Sequence, residues 1–173
     1  MLAASAFSSV PARAQAKKQP LSPPAETSVT IHRKQFTIKY SAPSRRGRQI
    51  FGKGGRISKD ATYPVWRAGA DNATSFHTDA DIDLNGLLVP AGDHTIFVLV
   101  SVDSWELIIN KQTGQWGLTY SQNMDLGRLR MTMVKPPEPI ETFKITLTSA
   151  GGNKGKLQLE WENVIASVPF TVK

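Results

Sequence analysis

The chain has 173 residues, no cysteine, and 21 Lys/Arg against 14 Asp/Glu for a formal charge of +7. That length suits one domain with a real hydrophobic core, and the lack of cysteine excludes disulfides, thiolate nucleophiles and cysteine-ligated zinc or iron–sulfur sites. No run approaches the roughly 18 apolar residues of a membrane-spanning helix, so no membrane span is expected.

The first segment, "MLAASAFSSVPARAQA", joins small and apolar residues to a small-x-small pattern at Ala14-Gln15-Ala16. It reads as a signal peptide over residues 1–16 with cleavage before Lys17, which places the mature protein in the periplasm or outside the cell. Residues 17–26, with Pro20, Pro23 and Pro24, read as a flexible leader, and residues 27–173 as a single folded domain.

From Thr27 the hydropathy alternates with period two. "VTIHRKQFTIKY" predicts a hairpin with Val29 and Ile31 on one arm, Phe36 and Ile38 on the other, and a turn at Arg33-Lys34. "DIDLNGLLVPAG" carries an Asn85-Gly86 turn, a strong hairpin signal. "HTIFVLV" and "WELIINK" are apolar runs of strand length separated by Val102 to Ser104, and "GRLRMTMV" follows. The closing stretch from Glu141 alternates on both sides of a Gly151-Gly152-Asn153 turn. About nine short strands at this spacing predict an all-β domain, an antiparallel β-sandwich that is jelly-roll-like or a partly open barrel. No segment carries a helical pattern longer than a turn or two, which argues against the parallel α/β folds that cradle nucleotides.

The positive charge is local. Arg33 to Arg67 holds ten Lys/Arg against the single Asp60, a local +9 within a chain of +7, so the other residues sum to −2. Such a concentration suits an anionic partner, a phosphate or carboxylate ligand, an acidic glycan or a membrane surface; in "FGKGGRISKD" it also suits a solvated loop. Nucleic acid is not expected, because no helix-turn-helix, ribonucleoprotein-type aromatic motif or metal finger is present.

Five blocks, "YSAPSRRGRQIFG", "WRAGADNAT", "VPAG", "WELIINKQTGQWG" and "KLQLEWENVIASVPF", occur in order over nearly all of the chain after the leader. Together they resemble the domain of unknown function 2911 family of small exported bacterial proteins, a resemblance that implies no particular activity. The chain departs from the family pattern at Ala42, where the family has arginine, and at Asp71, where it has asparagine.

Tyr40, Ser41, Arg48, Trp66, Arg67 and Asp71 are the candidate ligand-binding residues. Arg48 and Arg67 can each present a planar fork to a carboxylate or phosphate, with Tyr40 and Trp66 as an aromatic wall. The two motifs that hold them are expected to meet on one face. A structural reading of the same residues has Arg67 paired with a buried acid such as Glu106 or Glu160, and Trp66 and Tyr40 packed in the core.

No metal, cofactor or catalytic motif is predicted. Asp79, Asp81 and Asp83 alternate as on the wet face of a strand, and Leu84 and Pro90 stand where a calcium loop needs glycine and glutamate. His32, His77 and His94 lie far apart and form no ligand pair. The expected function is therefore an exported, non-catalytic module that binds a small anionic or glycan ligand, or an envelope protein, through the Arg48 and Arg67 face. The alternative is a hydrolase or isomerase that uses a carboxylate such as Asp71 with His77 or His94.

Overall fold

The computed structural model describes residues 20–173; the expected signal peptide and the first leader residues lie outside the described residues. The strands are β1 (Pro24–Ile31), β2 (Lys34–Ser41), β3 (Val65–Trp66), β4 (Thr74–Thr78), β5 (Ile82–Leu84), β6 (Leu87–Val89), β7 (Gly92–Val100), β8 (Trp105–Asn110), β9 (Asp125–Arg130), β10 (Thr132–Val134), β11 (Ile140–Ser149), β12 (Lys154–Glu162) and β13 (Val164–Val172). One antiparallel sheet runs β1-β2-β4-β7-β8-β9 with β3 also on β7; the other runs β11-β12-β13-β5-β6 with β10 also on β13. The two sheets form a sandwich and do not close into a barrel.

The described residues hold thirteen strands where about nine were expected: β3 and β10 are only two and three residues long, too short to show alternation, and β4 was not singled out. Two boundaries also move. Strand β1 begins at Pro24, which pairs with Ser41, so Pro24 to Glu26 belong to the sheet and not to the leader. The first hairpin turns at His32-Arg33, with φ of 50° and 64°, one residue before the expected position. Two successive left-handed residues match the twist of the arms, and Lys34 is thereby free to pair with Ile31. The Asn85-Gly86 turn joins β5 to β6 as expected, with φ of 50° and 98°.

Alternation fills the space between the sheets. Phe36 and Ile38 of β2, Phe76 of β4, Ile96 and Val98 of β7 and Leu157 and Leu159 of β12 are fully or almost fully buried in one core. On the outer side of the first sheet Val65, Phe97 and Ile108 form a smaller cluster with Tyr120 against it. Where the sheets approach, three alternate N–H groups of β11 donate to the other layer: Phe143 to the Pro43 carbonyl at 2.9 Å, Ile145 to the Tyr40 hydroxyl at 3.0 Å and Leu147 to Thr27 Oγ1 at 3.2 Å. Hydroxyls and a carbonyl thus satisfy an edge that would otherwise expose its donors.

Between β2 and β3 the chain crosses one end of the sandwich. It is pinned by Glu162, a buried residue whose two carboxylate oxygens accept the N–H groups of Ile50 at 2.9 Å and Phe51 at 3.1 Å. Phe51 then packs on Trp105, with ring centres 4.7 Å apart, and on Trp66 and Trp161 at 5.5 and 5.8 Å. Glu162 itself sits in the β12–β13 turn at φ 51°, a backbone state that a side chain disfavours. The carboxylate anchor therefore overrides local preference. Glu162→Ala is expected to lower the unfolding free energy by about 3 kcal/mol, since it strands two buried donors. Glu162→Gly should lose about 1 kcal/mol less, because glycine adopts the turn without strain. Urea denaturation of the two variants checks the order; equal stability to the wild type would remove the anchor role.

Candidate functional site

Strands β3 and β4 lie end to end on the same edge of β7, pairing with Val98–Leu99 and with 92–96. The seven residues between them, Arg67 to Ala73, bulge out of the sheet. Thr74 closes the bulge by donating from its hydroxyl to the Ala68 carbonyl at 2.7 Å. Gly69 is needed there because a Cβ would stand 2.9 Å from the Ser41 carbonyl oxygen. The bulge is strapped from outside by Gln115 to Gly117: Ala73 N–H donates to the Gln115 carbonyl at 3.1 Å and Gly117 N–H to the Asp71 carbonyl at 3.0 Å. Gly117 has no room for a side chain, since its Cβ would meet Arg67 Cδ at 2.1 Å. The stem of Arg67 is laid flat under the strap.

The head of Arg67 meets Asp60, which follows a short 3₁₀ turn at Ile57–Lys59. Asp60 accepts from Arg67 Nη2 at 3.1 Å and from Arg56 Nη1 at 2.7 Å. The side chains of Asp60 and Arg67 are 6% and 10% exposed, that of Arg56 44%. Arg67 Nε is buried and has no hydrogen-bond partner among the described residues.

A second pair of arginines comes from the loop after β2. Arg46 and Gly47, at φ 51° and 72°, reverse the chain in a left-handed turn whose amides are held by β11: Arg45 N–H donates to the Glu141 carbonyl at 2.8 Å and Arg46 N–H to its carboxylate at 2.7 Å. The guanidinium groups then fold onto carbonyls. Arg48 donates to the carbonyls of Arg45 and Ser44 at 2.8 and 2.7 Å, and Arg46 to that of Leu21 at 2.7 Å.

These segments border an open cleft of about 380 Å³ lined by four arginines, Arg46, Arg48, Arg56 and Arg67, against two aspartates, Asp60 and Asp71. Pro43, Ile57, Leu118 and Trp161 supply apolar wall, and Trp116 stands on it half exposed.

The structure therefore places Arg48, Arg67 and Asp71 around one cavity and the other three candidates behind it. Trp66 is fully buried, and its indole donates to the Gly69 carbonyl at 3.1 Å. Tyr40 packs edge-on against Phe143 and holds β11 through its hydroxyl, which burial pushes above its usual pKa. Ser41 accepts Ala70 N–H on its carbonyl at 3.2 Å. Trp66 and Ser41 thus hold the bulge, and Tyr40 holds β11. Arg67 does pair with a buried acid, but that acid is Asp60: Glu160 accepts from Gln158 and Glu106 lies on β8. Asp60, Arg46, Arg56 and Trp116 were not singled out by sequence reasoning. Asp60 was visible as the lone acid in a basic stretch, and Trp116 lay in the "QTGQWG" block.

The histidines lie elsewhere. His77 on β4 holds Asp93 through Nδ1 at 2.7 Å and Asp79 through Nε2 at 3.1 Å. The Asp93 hydrogen bond, seconded by Asp79, raises its pKa. The Gln35 amide, before His77, lowers that of Asp79. With a carboxylate within hydrogen-bond reach of each nitrogen, the protonated ring donates to both. His94 is buried and donates from Nε2 to the Pro90 carbonyl at 2.8 Å. Neither ring lines the cavity that holds Asp71. Asp81 and Asp83 are each bonded to a backbone amide, of Ala91 at 2.8 Å and Gly86 at 2.6 Å. Among the described residues no group of three or more His, Asp or Glu is placed to hold a metal ion.

A family model described as "Protein of unknown function (DUF2911)" matches residues 22–170. No curated protein and no solved structure matches the chain.

The Asp60 cluster makes an ordered prediction. Asp60→Ala leaves buried Arg67 without its counter-charge and is expected to cost about 4 to 5 kcal/mol; Arg67→Ala leaves Asp60 still paired with Arg56 and should cost about 3 kcal/mol. Arg56→Ala, at the exposed end, should cost under about 1 kcal/mol. Denaturant midpoints rank the three, and a loss for Arg56→Ala that equals that of Asp60→Ala would contradict the assignment.

Proposed function

The chain belongs to the DUF2911 family, and we propose that it is an exported, non-catalytic protein that binds a small anionic ligand in the arginine-lined cavity. One observation carries the reading: the guanidinium groups of Arg46 and Arg48 are fixed by backbone carbonyls. A carbonyl orients a guanidinium without cancelling its charge, so these groups wait in place for an anion at little further entropic cost. Asp60 neutralises only part of the neighbouring Arg56 and Arg67 charge, leaving four arginines against two carboxylates. The volume falls in the range of small-ligand pockets. No histidine stands beside Asp60 or Asp71 in the lining, which favours binding over acid–base chemistry. Export rests on the Ala14-Gln15-Ala16 pattern; a native mass that begins at Met1 would remove that part of the reading.

Thermal unfolding in sulfate, inorganic phosphate and glucuronate, each against chloride at equal ionic strength, tests the binding. A ligand at a hundred times its Kd adds about 2.7 kcal/mol of stability, which in a domain of this size raises the Tm by roughly 5 to 10 °C. Arg48→Ala should abolish the rise, and Lys156→Ala, at an exposed position of β12, should keep it. No anion-specific rise in the wild type, or an equal rise in Arg48→Ala, would overturn the proposal.

A further inference from the structure

Three features of the cavity constrain its ligand more narrowly than charge does. The first is size: about 380 Å³ is several times what a bare phosphate or carboxylate fills, so the anion carries a body. The second is Asp71, an exposed residue at φ 58° on the cavity wall. Its carboxylate only accepts hydrogen bonds, and beside a ligand anion it repels unless donors of the ligand face it. The body must therefore carry hydroxyl or amine groups on the side away from the arginines. The third is Trp116. The other tryptophans, Trp66, Trp105 and Trp161, are buried within 2% exposure, whereas Trp116 is 50% exposed and held by a bridge to Asn72. Its indole face is the negative side of a quadrupole and attracts the polarised C–H groups of a sugar ring laid flat against it.

From these we infer that the ligand is an acidic saccharide: its carboxylate sits on Arg48 and Arg67, its hydroxyls donate to Asp71, and one C–H face lies on Trp116. The inference rests on the anion-binding reading above and adds the chemical class. A uronic acid satisfies all three walls at once. A free amino acid offers an ammonium to Asp71 but no flat C–H face. A neutral sugar offers the face but leaves the arginine charge unmet.

Because Trp116 is the one exposed tryptophan, its fluorescence reports directly on occupancy. The probes are digalacturonate, neutral galactobiose, glutamate, AMP and inorganic phosphate, titrated calorimetrically and against acrylamide quenching. Digalacturonate is expected to bind at least ten-fold more tightly than phosphate, glutamate, AMP or galactobiose and to shield Trp116 from acrylamide. Trp116→Ala should weaken digalacturonate at least ten-fold and leave phosphate within about two-fold, which a general loss of folding would not do. Asp71→Asn should weaken digalacturonate and not phosphate. Phosphate, AMP or glutamate binding as tightly as digalacturonate, or digalacturonate binding unchanged in Trp116→Ala, overturns the saccharide inference and leaves the anion site standing. Failure of every anion to bind overturns both.

Discussion

One carboxylate, Asp60, faces two guanidinium groups at the end of the sandwich, and the site depends on that contact. Without Asp60 the buried head of Arg67 would be an unpaired charge away from water, a cost of several kcal/mol. With it, the bulge that interrupts the β3–β4 edge is drawn toward the loop after β2, and the two arginine-bearing segments share a wall. Asp60 does this without saturating the cluster, because two cations meet one anion. The surplus faces the cavity.

The neighbouring constraints act in the same direction. Phe51, Trp66, Trp105, Trp161 and Phe143 form a continuous set of edge-on and stacked rings with centres 4.7 to 5.9 Å apart. Glu162 fastens the backbone of Ile50 and Phe51 above them. This packing gives the irregular loop a fixed floor, so that Arg48 is displayed from a rigid base. Binding to a long loop usually costs ordering entropy; an anion that bound here would meet a loop already ordered by burial.

The fold was legible wherever strands were long enough to alternate, as in β2, β11 and β12, and wherever turn chemistry was explicit, as at Asn85-Gly86. It was not legible in β3, because two residues carry no parity and the sequence around Trp66 and Arg67 does not say which points inward. The structure sends Trp66 to the core and Arg67 to the cavity. That Arg48 and Arg67 line one cavity could be expected from the similar make-up of their motifs. The role of Asp60 could not, since a contact between irregular segments leaves no period in the sequence. Tyr40 looked like a ligand group because tyrosine hydroxyls often are; its real partner, the Ile145 amide, is 105 positions away on the opposite sheet.

The central claim is that the uncompensated arginine charge forms an anion site between Arg48 and Arg67. A crystal structure of the mature protein grown with selenate, phased on selenium anomalous scattering, tests it most directly. The account predicts an anomalous peak inside the cavity, within hydrogen-bond reach of both guanidinium groups and absent in Arg48→Ala. Selenate bound only elsewhere on the surface, with the cavity filled by water, would contradict it.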